Sequence, residues 1–277
     1  MDARRRAYHP SKRLGQNFLA TPSIAEEVVS SIAPGPSDTV LEPGPGHGAL
    51  TRLLVKSAGR VIAIEKDPLL VDELRESFRD QPNLTIIPGD ILKMGENLPS
   101  FSKLVSTPPY YLSSNLTLLL ASKKFDVAAV VFQKEFGERL LAEPGTAEYG
   151  RLTVMTRRKL EVVKTRDISR RSFRPVPRVD SVLLRITPKQ HVAELDEMVF
   201  AELVRGVFTQ RRRLLKSALA HYLRLKYGRA KGMAVLSRLS LSDNRVYQLT
   251  IGELENLSLQ LWRVGSDELV SSGRETV

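Results

Sequence analysis

Three glycines, Gly44, Gly46 and Gly48, stand in the segment VLEPGPGHGALT between a strand-like run and a helix-like run. Glycine lets the backbone approach a ligand closely and turn directly into the N-terminus of a helix. Gly44, Gly46 and Ala49 also satisfy the fingerprint of dinucleotide-binding proteins, which leaves a nicotinamide oxidoreductase open as one function. The glycine pattern alone does not decide which ligand binds.

Two acids follow the glycine turn at the ends of the next two strand-like runs. Glu65, in IAIEKD, lies 21 residues beyond Gly44, and Asp90, in IIPGD, lies 25 residues further on. A carboxylate at the second strand can hold both hydroxyls of a ribose, and one at the third can accept a hydrogen bond from an adenine amine. Either acid could instead cap the helix that follows it. Together with the glycine turn, they describe a pocket for adenosine.

The segment LVSTPPYYLSS ends a fourth strand-like run with Thr107, two prolines and two tyrosines. In a parallel sheet, this is where a strand opens onto the ligand crevice. Consecutive prolines also break regular structure, so the segment could simply force the chain into a loop. We expect Tyr111, the second tyrosine, to pack against the sheet.

The elements that would position these residues are short β-rich runs alternating with helical stretches. The runs DTVLEPG, GRVIAIEKD, NLTIIPGD, SKLVSTPP and DVAAVVFQ predict a parallel, doubly wound sheet. LTVMTRRKLEVV and SVLLRITP follow without a full crossover helix, which predicts a hairpin at one edge. Beyond TPKQHVAE the pattern is helical only. We therefore predict two domains, 1–189 and 190–277.

The net charge of +11 is concentrated in three segments. Residues 1–13 carry +4, residues 157–189 carry +8, and residues 203–242 carry +10 without a single acid. Such segregation favours basic surfaces that neutralise several phosphates of a nucleic acid. The alternative is a set of solvated helix faces.

Composition argues against several other classes of protein. The chain has no cysteine and four scattered histidines, so we expect no metal site and no disulfide. No apolar run approaches the roughly 20 residues of a membrane-spanning helix, and the first residues, MDARRRAYHPSKR, lack the apolar core of a secretory signal. We expect a soluble, cytoplasmic protein without membrane partners.

The segments LEPGPGHG, IEKD, PGD and TPPY resemble, in this order, the four motifs of S-adenosylmethionine-dependent methyltransferases. The fourth is similar to the Asn-x-Pro-Tyr motif of enzymes that methylate an exocyclic amine of a base. KRLGQNFL (Lys12 to Leu19) and FRPVPRVDS (Phe173 to Ser181) resemble the ribosomal RNA adenine dimethyltransferase family, as do FQKEFGERLLAEPGTAEYGRL and VFTQRRRLLKSAL. KRLGQNFL and the basic TQRRRLLKSAL favour its small-subunit branch over the branch that methylates large-subunit RNA.

This resemblance implies a fold: α/β, with a doubly wound, mostly parallel seven-stranded sheet of the S-adenosylmethionine-dependent methyltransferase type and a small C-terminal all-helical domain. The first domain would bind S-adenosylmethionine and carry catalysis, and the helical, basic domain would bind RNA. Gly44 would lie at the carboxypropyl end of the cofactor, Glu65 on its ribose and Asp90 on its adenine. The full set of implied cofactor residues is Asn17, Leu19, Gly44, Gly46, Glu65, Asp90 and Thr107.

The resemblance also implies how the target amine would be activated. Position 107 is asparagine in most of the family, whereas this chain has threonine. The Thr107 side chain and the Pro108 carbonyl would accept hydrogen bonds from the amine, and Tyr110 would stack on the adenine. Phe173 is a candidate for the opposite face of the base, or else a core aromatic that pins the proline-rich loop.

The implied substrate is small-subunit ribosomal RNA in a pre-assembled small ribosomal subunit, methylated twice at N6 of adenines near its 3′ end. The residues implied to bind this RNA are Arg211, Arg212, Arg213 and Lys216. We expect a monomer. Because Thr107 departs from the family pattern, a ribosome-assembly factor that binds RNA with weak or lost methyltransferase activity is an alternative.

Overall fold

The computed structural model describes residues 17–272 of the chain, with side chains as far as residue 264. The basic segment 1–13 and the first part of KRLGQNFL lie outside these described residues. Expectations about residues 1–16 therefore remain predictions from the sequence.

The regular elements follow the alternation that the sequence predicts. The strands are β1 (Phe18–Leu19), β2 (Thr39–Pro43), β3 (Arg60–Glu65), β4 (Leu84–Pro88), β5 (Lys103–Ser106), β6 (Val127–Gln133), β7 (Leu160–Ile168), β8 (Phe173–Arg174) and β9 (Ser181–Pro188). The helices are α1 (Pro22–Ser30), α2 (Thr51–Ser57), α3 (Pro68–Ser77), α4 (Ile91–Met94), α5 (Ser113–Leu120), α6 (Lys134–Leu141), α7 (Arg151–Arg157), α8 (Glu197–Phe208), α9 (Leu215–Tyr227), α10 (Arg229–Ser237) and α11 (Ile251–Ser272).

A seven-stranded sheet, as far as the described residues show, has the order β4-β3-β2-β5-β6-β9-β7. The first five strands in this order run parallel, and β9 runs antiparallel to both β6 and β7. The five parallel strands coincide with the runs predicted from the sequence, which are almost continuously apolar because helices cover both faces. After β4 the chain crosses over β2 to form β5, and such a reversal creates a crevice at the carboxyl ends of the strands.

The edge hairpin is only partly as predicted. β7 and β9 do pair at the sheet edge, but the residues before β7, predicted as a strand, form helix α7. Thr153 explains part of this difference, because it is buried and its hydroxyl donates a hydrogen bond to the carbonyl of Arg139 at 2.7 Å. A tertiary contact therefore overrides the β-propensity of the Thr and Val residues in this segment.

The chain folds into two compact units. The sheet unit consists of the chain up to residue 137 together with 160–188, and the helical unit consists of 138–159 together with the chain from 189 onwards. The single boundary predicted at residue 189 therefore assigned residues 138–159 to the wrong unit. Tyr149 shows why: it is buried in the helical core, where its hydroxyl donates to the carbonyl of Leu249 at 2.9 Å.

Each unit has its own apolar core. In the sheet unit, α1 and α2 pack on the sheet through Val28, Leu54 and their neighbours. In the helical unit, α8, α9, α10 and α11 pack around Phe200 and Leu219. No helix in residues 17–272 combines the length and the apolar character needed to cross a membrane.

Candidate active site

A cavity of about 450 Å³, called here the large cavity, opens at the carboxyl ends of β2, β3, β4 and β5. Its walls come from the glycine turn after β2, the end of β3, the turn after β4 and the segment after β5. All the residues that the sequence assigned to a cofactor line it: Asn17, Leu19, Gly44, Gly46, Glu65, Asp90 and Thr107. The fold thus brings residues distant in sequence to one concave surface.

The glycine turn has a shape that only glycine permits at Gly46. Its φ is +58°, and a Cβ added there would lie 2.7 Å from the ring of Phe18. That ring in turn lies against the imidazole of His47, with their centroids 4.3 Å apart. Phe18 and His47 both line the large cavity, although the sequence analysis did not select them.

Glu65 is held in place by three backbone amides. Its Oε1 accepts hydrogen bonds from the amides of Lys66 and Asp67 at 2.8 and 2.9 Å, and its Oε2 accepts one from the amide of Gly46 at 3.2 Å. Burial raises the pKa of Glu65 against the effect of these donors. The side chain is only 6% exposed, so the carboxylate at the cavity wall has a fixed orientation.

Asp90 caps the helix that follows it and also lies at the wall of the large cavity. Its Oδ1 accepts a hydrogen bond from the amide of Leu92 at 3.1 Å and so caps α4, while the residue also lines the large cavity. Its Oδ2 pairs with the Lys66 ammonium at 2.9 Å. Burial raises the pKa of Asp90, but the hydrogen bonds from Lys66 and the Leu92 amide, together with the charges of Lys66 and Lys93, outweigh burial and lower this pKa overall.

Glu42 is a second buried acid that the sequence analysis missed. Its Oε2 accepts a hydrogen bond from the Thr51 hydroxyl at 2.7 Å, and it lies within β2 just before the glycine turn. Burial, reinforced by the nearby Glu65, raises the pKa of Glu42 to about 8. The signal was present in the sequence as an acid inside a strand whose other residues, apart from Thr39, are apolar.

A second, narrow cleft is lined by Asn17, Thr107, Pro108, Tyr110, Val131, Phe173 and Ser181. It contains all four residues predicted to be catalytic. The Tyr110 hydroxyl is 3.5 Å from the Ser181 hydroxyl, and burial raises the pKa of Tyr110. Thr107 is positioned by its neighbour Ser106, whose buried hydroxyl donates to the Pro43 carbonyl at 2.6 Å.

Phe173 is 3% exposed and belongs to the core of the sheet unit while also bordering the narrow cleft. It pairs with Leu19 in the short antiparallel ladder of β8 and β1. KRLGQNFL and FRPVPRVDS, two of the four segments that resemble the dimethyltransferase family, are therefore joined directly. The burial of Phe173 fits the core alternative, and its position at the cleft fits the proposed contact with a base.

Tyr111 differs from the expectation. It is 54% exposed and lines the large cavity instead of packing against the sheet. The cause is the 3-10 turn Tyr110–Leu112, in which successive side chains are about 120° apart. Leu112 is buried, so Tyr110 and Tyr111 point to different surroundings.

The residues assigned to RNA separate into two groups within the helical unit. The Arg211 guanidinium donates to the carbonyls of Thr146 and Ala147 at 3.3 and 2.7 Å and lies over the Tyr247 ring, 5.9 Å from its centroid. Arg212, Arg213 and Lys216 are exposed. Arg211 therefore holds the fold of its own unit, and the other three present their charges to solvent.

Comparison with known proteins adds an independent line of evidence. The model of the family described as "Ribosomal RNA adenine dimethylase" matches residues 9–250. A protein of Thermococcus kodakarensis named probable ribosomal RNA small subunit methyltransferase A is 42% identical over 246 residues, 87% of this chain and 86% of the relative. A protein of the same name from Pyrococcus abyssi is 38% identical over 251 residues, 90% of each chain.

Solved structures agree with the sequence relatives. A dimethyladenosine transferase from Plasmodium falciparum is 28% identical with a TM-score of 0.81, over 90% of this chain and 98% of that one. The 23S rRNA methyltransferase ErmE is 28% identical with a TM-score of 0.63, over 88% and 99%. The sheet unit thus has the fold of S-adenosylmethionine-dependent methyltransferases, as predicted. A family match that spans both cavities and most of the helical unit shows that this chain is a methyltransferase of the ribosomal RNA adenine dimethylase family.

Proposed function

We propose that this protein uses S-adenosylmethionine to dimethylate N6 of adenines near the 3′ end of small-subunit ribosomal RNA. Its substrate would be a pre-assembled small subunit in the cytoplasm, and the protein would act as a monomer. One observation carries the proposal: the large cavity and the narrow cleft share Asn17 and Thr107 on their walls. A methyl donor in the large cavity and a target base could therefore meet at these residues, provided that the narrow cleft, of about 10 Å³, widens when the base enters.

The large cavity fits S-adenosylmethionine in size and in polar groups. Ligand pockets span roughly 300 to 1,000 Å³, and this one measures about 450 Å³. The fixed carboxylate of Glu65 suits two ribose hydroxyls, and Asp90 suits an adenine amine. At Gly44, where φ is +68°, only the Pro109 ring lies within 4 Å of an added Cβ, at 3.8 Å, so the bare backbone leaves space for close approach of a ligand. Asn17 and Leu19 would complete the wall.

The chemistry required of the protein is modest. When bound, S-adenosylmethionine supplies an electrophilic methyl group on a sulfonium, which needs no metal. The adenine amine is a poor nucleophile because its lone pair is delocalised into the ring. In the narrow cleft, the Thr107 hydroxyl and the Pro108 carbonyl would accept the two amine hydrogens, localise the lone pair and orient the nitrogen. The proton is acidic after transfer and would leave to water.

The target base must first leave its stack, which costs a few kcal/mol and less in a single-stranded segment. Tyr110 would return part of this cost by stacking on the base, about 1 to 3 kcal/mol. Its hydroxyl lies 3.5 Å from the Ser181 hydroxyl, a contact that would help to orient the phenol. Phe173 would close the opposite side of the cleft, and a monomethylated product could occupy the same position for a second transfer.

A second candidate function rests on Thr107 itself, where the family pattern has asparagine. A hydroxyl is shorter than an amide, so the base would have to approach more closely or a water would have to bridge. If neither occurs, the protein would be a ribosome-assembly factor that binds RNA with weak or lost methyl transfer.

Incubation with unmethylated small subunits and S-adenosylmethionine tests the proposal. Mass spectrometry of the RNA nucleosides should detect N6,N6-dimethyladenosine, and sequencing should place it near the 3′ end. If the protein binds small subunits and S-adenosylmethionine but forms no methylated product, the assembly factor would be the favoured function. Calorimetric titrations with S-adenosylmethionine and with a nicotinamide dinucleotide separate the methyltransferase and the assembly factor from an oxidoreductase. Both of these functions predict binding of S-adenosylmethionine and no binding of the dinucleotide.

A further inference from the structure

The helical unit contains a recess of about 310 Å³ that belongs to neither cavity of the candidate active site. We call it the arginine recess. It is lined by Arg213, Ala220, His221, Arg224, Arg229 and Met233. Of these residues, only Arg213 was assigned to RNA from the sequence.

The recess exists because α9 and α10 pack closely. A Cβ at the buried Gly232 would lie 2.9 Å from the backbone carbon of Leu223, so no other residue fits without separating the helices. Gly228, with φ of +81°, forms the junction between α9 and α10. This close packing gathers Arg224 of α9 and Arg229 of α10 around one space.

The positive charges of the recess are not compensated within the described part of the chain. No carboxylate there lies within 4.0 Å of the Arg213, Arg224 or Arg229 guanidinium, and residues 203–242 contain no acid at all. Several other cations of the same unit are paired with a carboxylate.

The buried Arg158, for example, bonds to Glu197 at 2.8 Å and to Glu255 at 3.0 Å, and Lys226 pairs with Glu202. Three arginines that line one space without a carboxylate partner repel one another, and an anion bound among them would reduce this repulsion. The arginine recess therefore combines three arginines without a carboxylate partner on the wall of one space.

We propose that the arginine recess binds a phosphate group of single-stranded RNA, together with part of the attached nucleoside. Guanidinium groups bind phosphate oxygens in a bidentate manner. A phosphate alone would leave much of the space empty, whereas Met233, 57% exposed, and Ala220 give the recess an apolar side suited to a ribose or a base. The inference rests on the proposed RNA substrate and adds Arg224 and Arg229 to the surface that binds it.

The test compares two double variants with the same loss of charge. Arg224→Gln/Arg229→Gln alters the recess, and Arg205→Gln/Arg238→Gln removes two exposed arginines that do not line it. The affinity for a ten-residue oligouridylate is measured by fluorescence anisotropy over a series of salt concentrations. For single strands, each neutralised phosphate contributes about −0.7 to the slope of log K against log[salt].

The recess variant should bind oligouridylate about tenfold more weakly than the native protein, and its slope of log K against log[salt] should be smaller in magnitude by roughly 0.7. The affinity and the slope of the control variant should stay closer to those of the native protein. Equal behaviour of the two variants, or no binding of oligouridylate by the native protein, would overturn the proposal. Competition by inorganic phosphate against the bound oligouridylate tests whether the recess recognises RNA or any free phosphate. If phosphate alone competes as strongly as the oligonucleotide per phosphate group, the recess is a free-anion site and the assignment to RNA is wrong.

Methyl transfer to small subunits is measured in parallel, so that the two proposals can fail separately. Recess-dependent RNA binding without any methylation would contradict only the proposed function. Methylation by the native protein with no difference between the two variants would contradict only the arginine recess. Circular dichroism of both variants checks that the substitutions leave the fold intact.

Discussion

Asn17 and Thr107 lie on the walls of both the large cavity and the narrow cleft. They are 90 positions apart in the sequence. Asn17 directly precedes β1, which pairs with β8, while Thr107 directly follows β5 in the centre of the sheet. Two separate ladders therefore bring these polar residues to the place where the proposed donor and acceptor of the methyl group would meet.

Replacing Glu65 should weaken cofactor binding. We expect Glu65→Ala to raise the Kd for S-adenosylmethionine by roughly 10 to 100 fold, because two charge-assisted hydrogen bonds to the ribose would be lost. Isothermal titration calorimetry measures this effect. Asp72→Ala, which removes an exposed acid of α3, is the matched control and should leave the Kd unchanged. An unchanged Kd for Glu65→Ala would contradict the assignment of Glu65 to the ribose of the cofactor.

Gly46 should tolerate no side chain. Gly46→Ala places a Cβ against the Phe18 ring at a φ of +58°, and the left-handed conformation alone costs an L-residue about 1 to 2 kcal/mol. We expect a lower free energy of unfolding, measured with urea, and weaker cofactor binding. Gly252→Ala is the control, since nothing lies within 4 Å of the added Cβ. Equal stability of the two variants would contradict the described turn.

Glu42 should make stability depend on pH. The pKa of Glu42 is raised to about 8 in the folded protein, so the folded chain retains a proton that the unfolded chain releases above about 4.5. From this residue, stability should fall as the pH rises from about 4.5 to 8. Glu42→Gln keeps a similar shape and cannot ionise. The difference in the free energy of unfolding between this variant and the native protein should therefore shift in favour of the variant as the pH rises across this range. Parallel pH profiles of urea unfolding would show that Glu42 is ionised in the folded state.

Arg211 and its two neighbours should respond differently to substitution. Arg211→Ala removes donors to the Thr146 and Ala147 carbonyls, so we expect about 1 to 3 kcal/mol lower stability. Arg212→Glu/Arg213→Glu should leave the Tm unchanged. The same double variant should bind small subunits much more weakly, and the salt dependence of this binding should be smaller. Thermal unfolding and binding between 50 and 200 mM salt, a range chosen for phosphate-driven binding, distinguish the two roles. If RNA binding does not depend on salt concentration, these arginines are solvated surface residues that do not contact phosphates.

The sequence predicts the sheet well because its signals are local. Apolar runs of strand length mark β2 to β6, and those of β2 to β5 are followed within two residues by Gly, Asp or Pro. The parallel order then brings Gly44, Glu65 and Asp90 to one edge. The predicted cofactor residues lie together for that reason, without any knowledge of distances. Their ligand stays a prediction.

The features that were missed depend on contacts distant in sequence. Residues 138–159 join the helical unit through Tyr149 and its hydrogen bond to Leu249, and nothing in their local pattern indicates this partner. Arg211 stands in a run of three arginines, and only the backbone carbonyls near it distinguish its role. Tyr111 faces the large cavity because a 3-10 turn sets its direction, a geometry that the preceding prolines do not specify.

In the proposed mechanism, Thr107 is the residue on which methyl transfer would depend most directly. Its hydroxyl should accept one hydrogen of the target amine, so Thr107→Ala should slow transfer by about 1 to 3 kcal/mol, or roughly 5 to 150 fold. Thr107→Ser retains the hydroxyl and is the matched control, and Thr107→Asn restores the acceptor found in most of the family. The Kd for S-adenosylmethionine, measured for each variant, separates an effect on binding from an effect on the transfer step.

The most direct measurement is single-turnover methylation of purified, unmethylated small subunits by the native protein and these three variants. We predict measurable transfer by the native protein, a similar rate for Thr107→Ser, a clearly lower rate for Thr107→Ala, and an equal or higher rate for Thr107→Asn. If Thr107→Ala matches the native rate, the hydroxyl has no part in the reaction. If the native protein is inactive and Thr107→Asn is active, the chain is an RNA-binding assembly factor and the proposed activity is wrong.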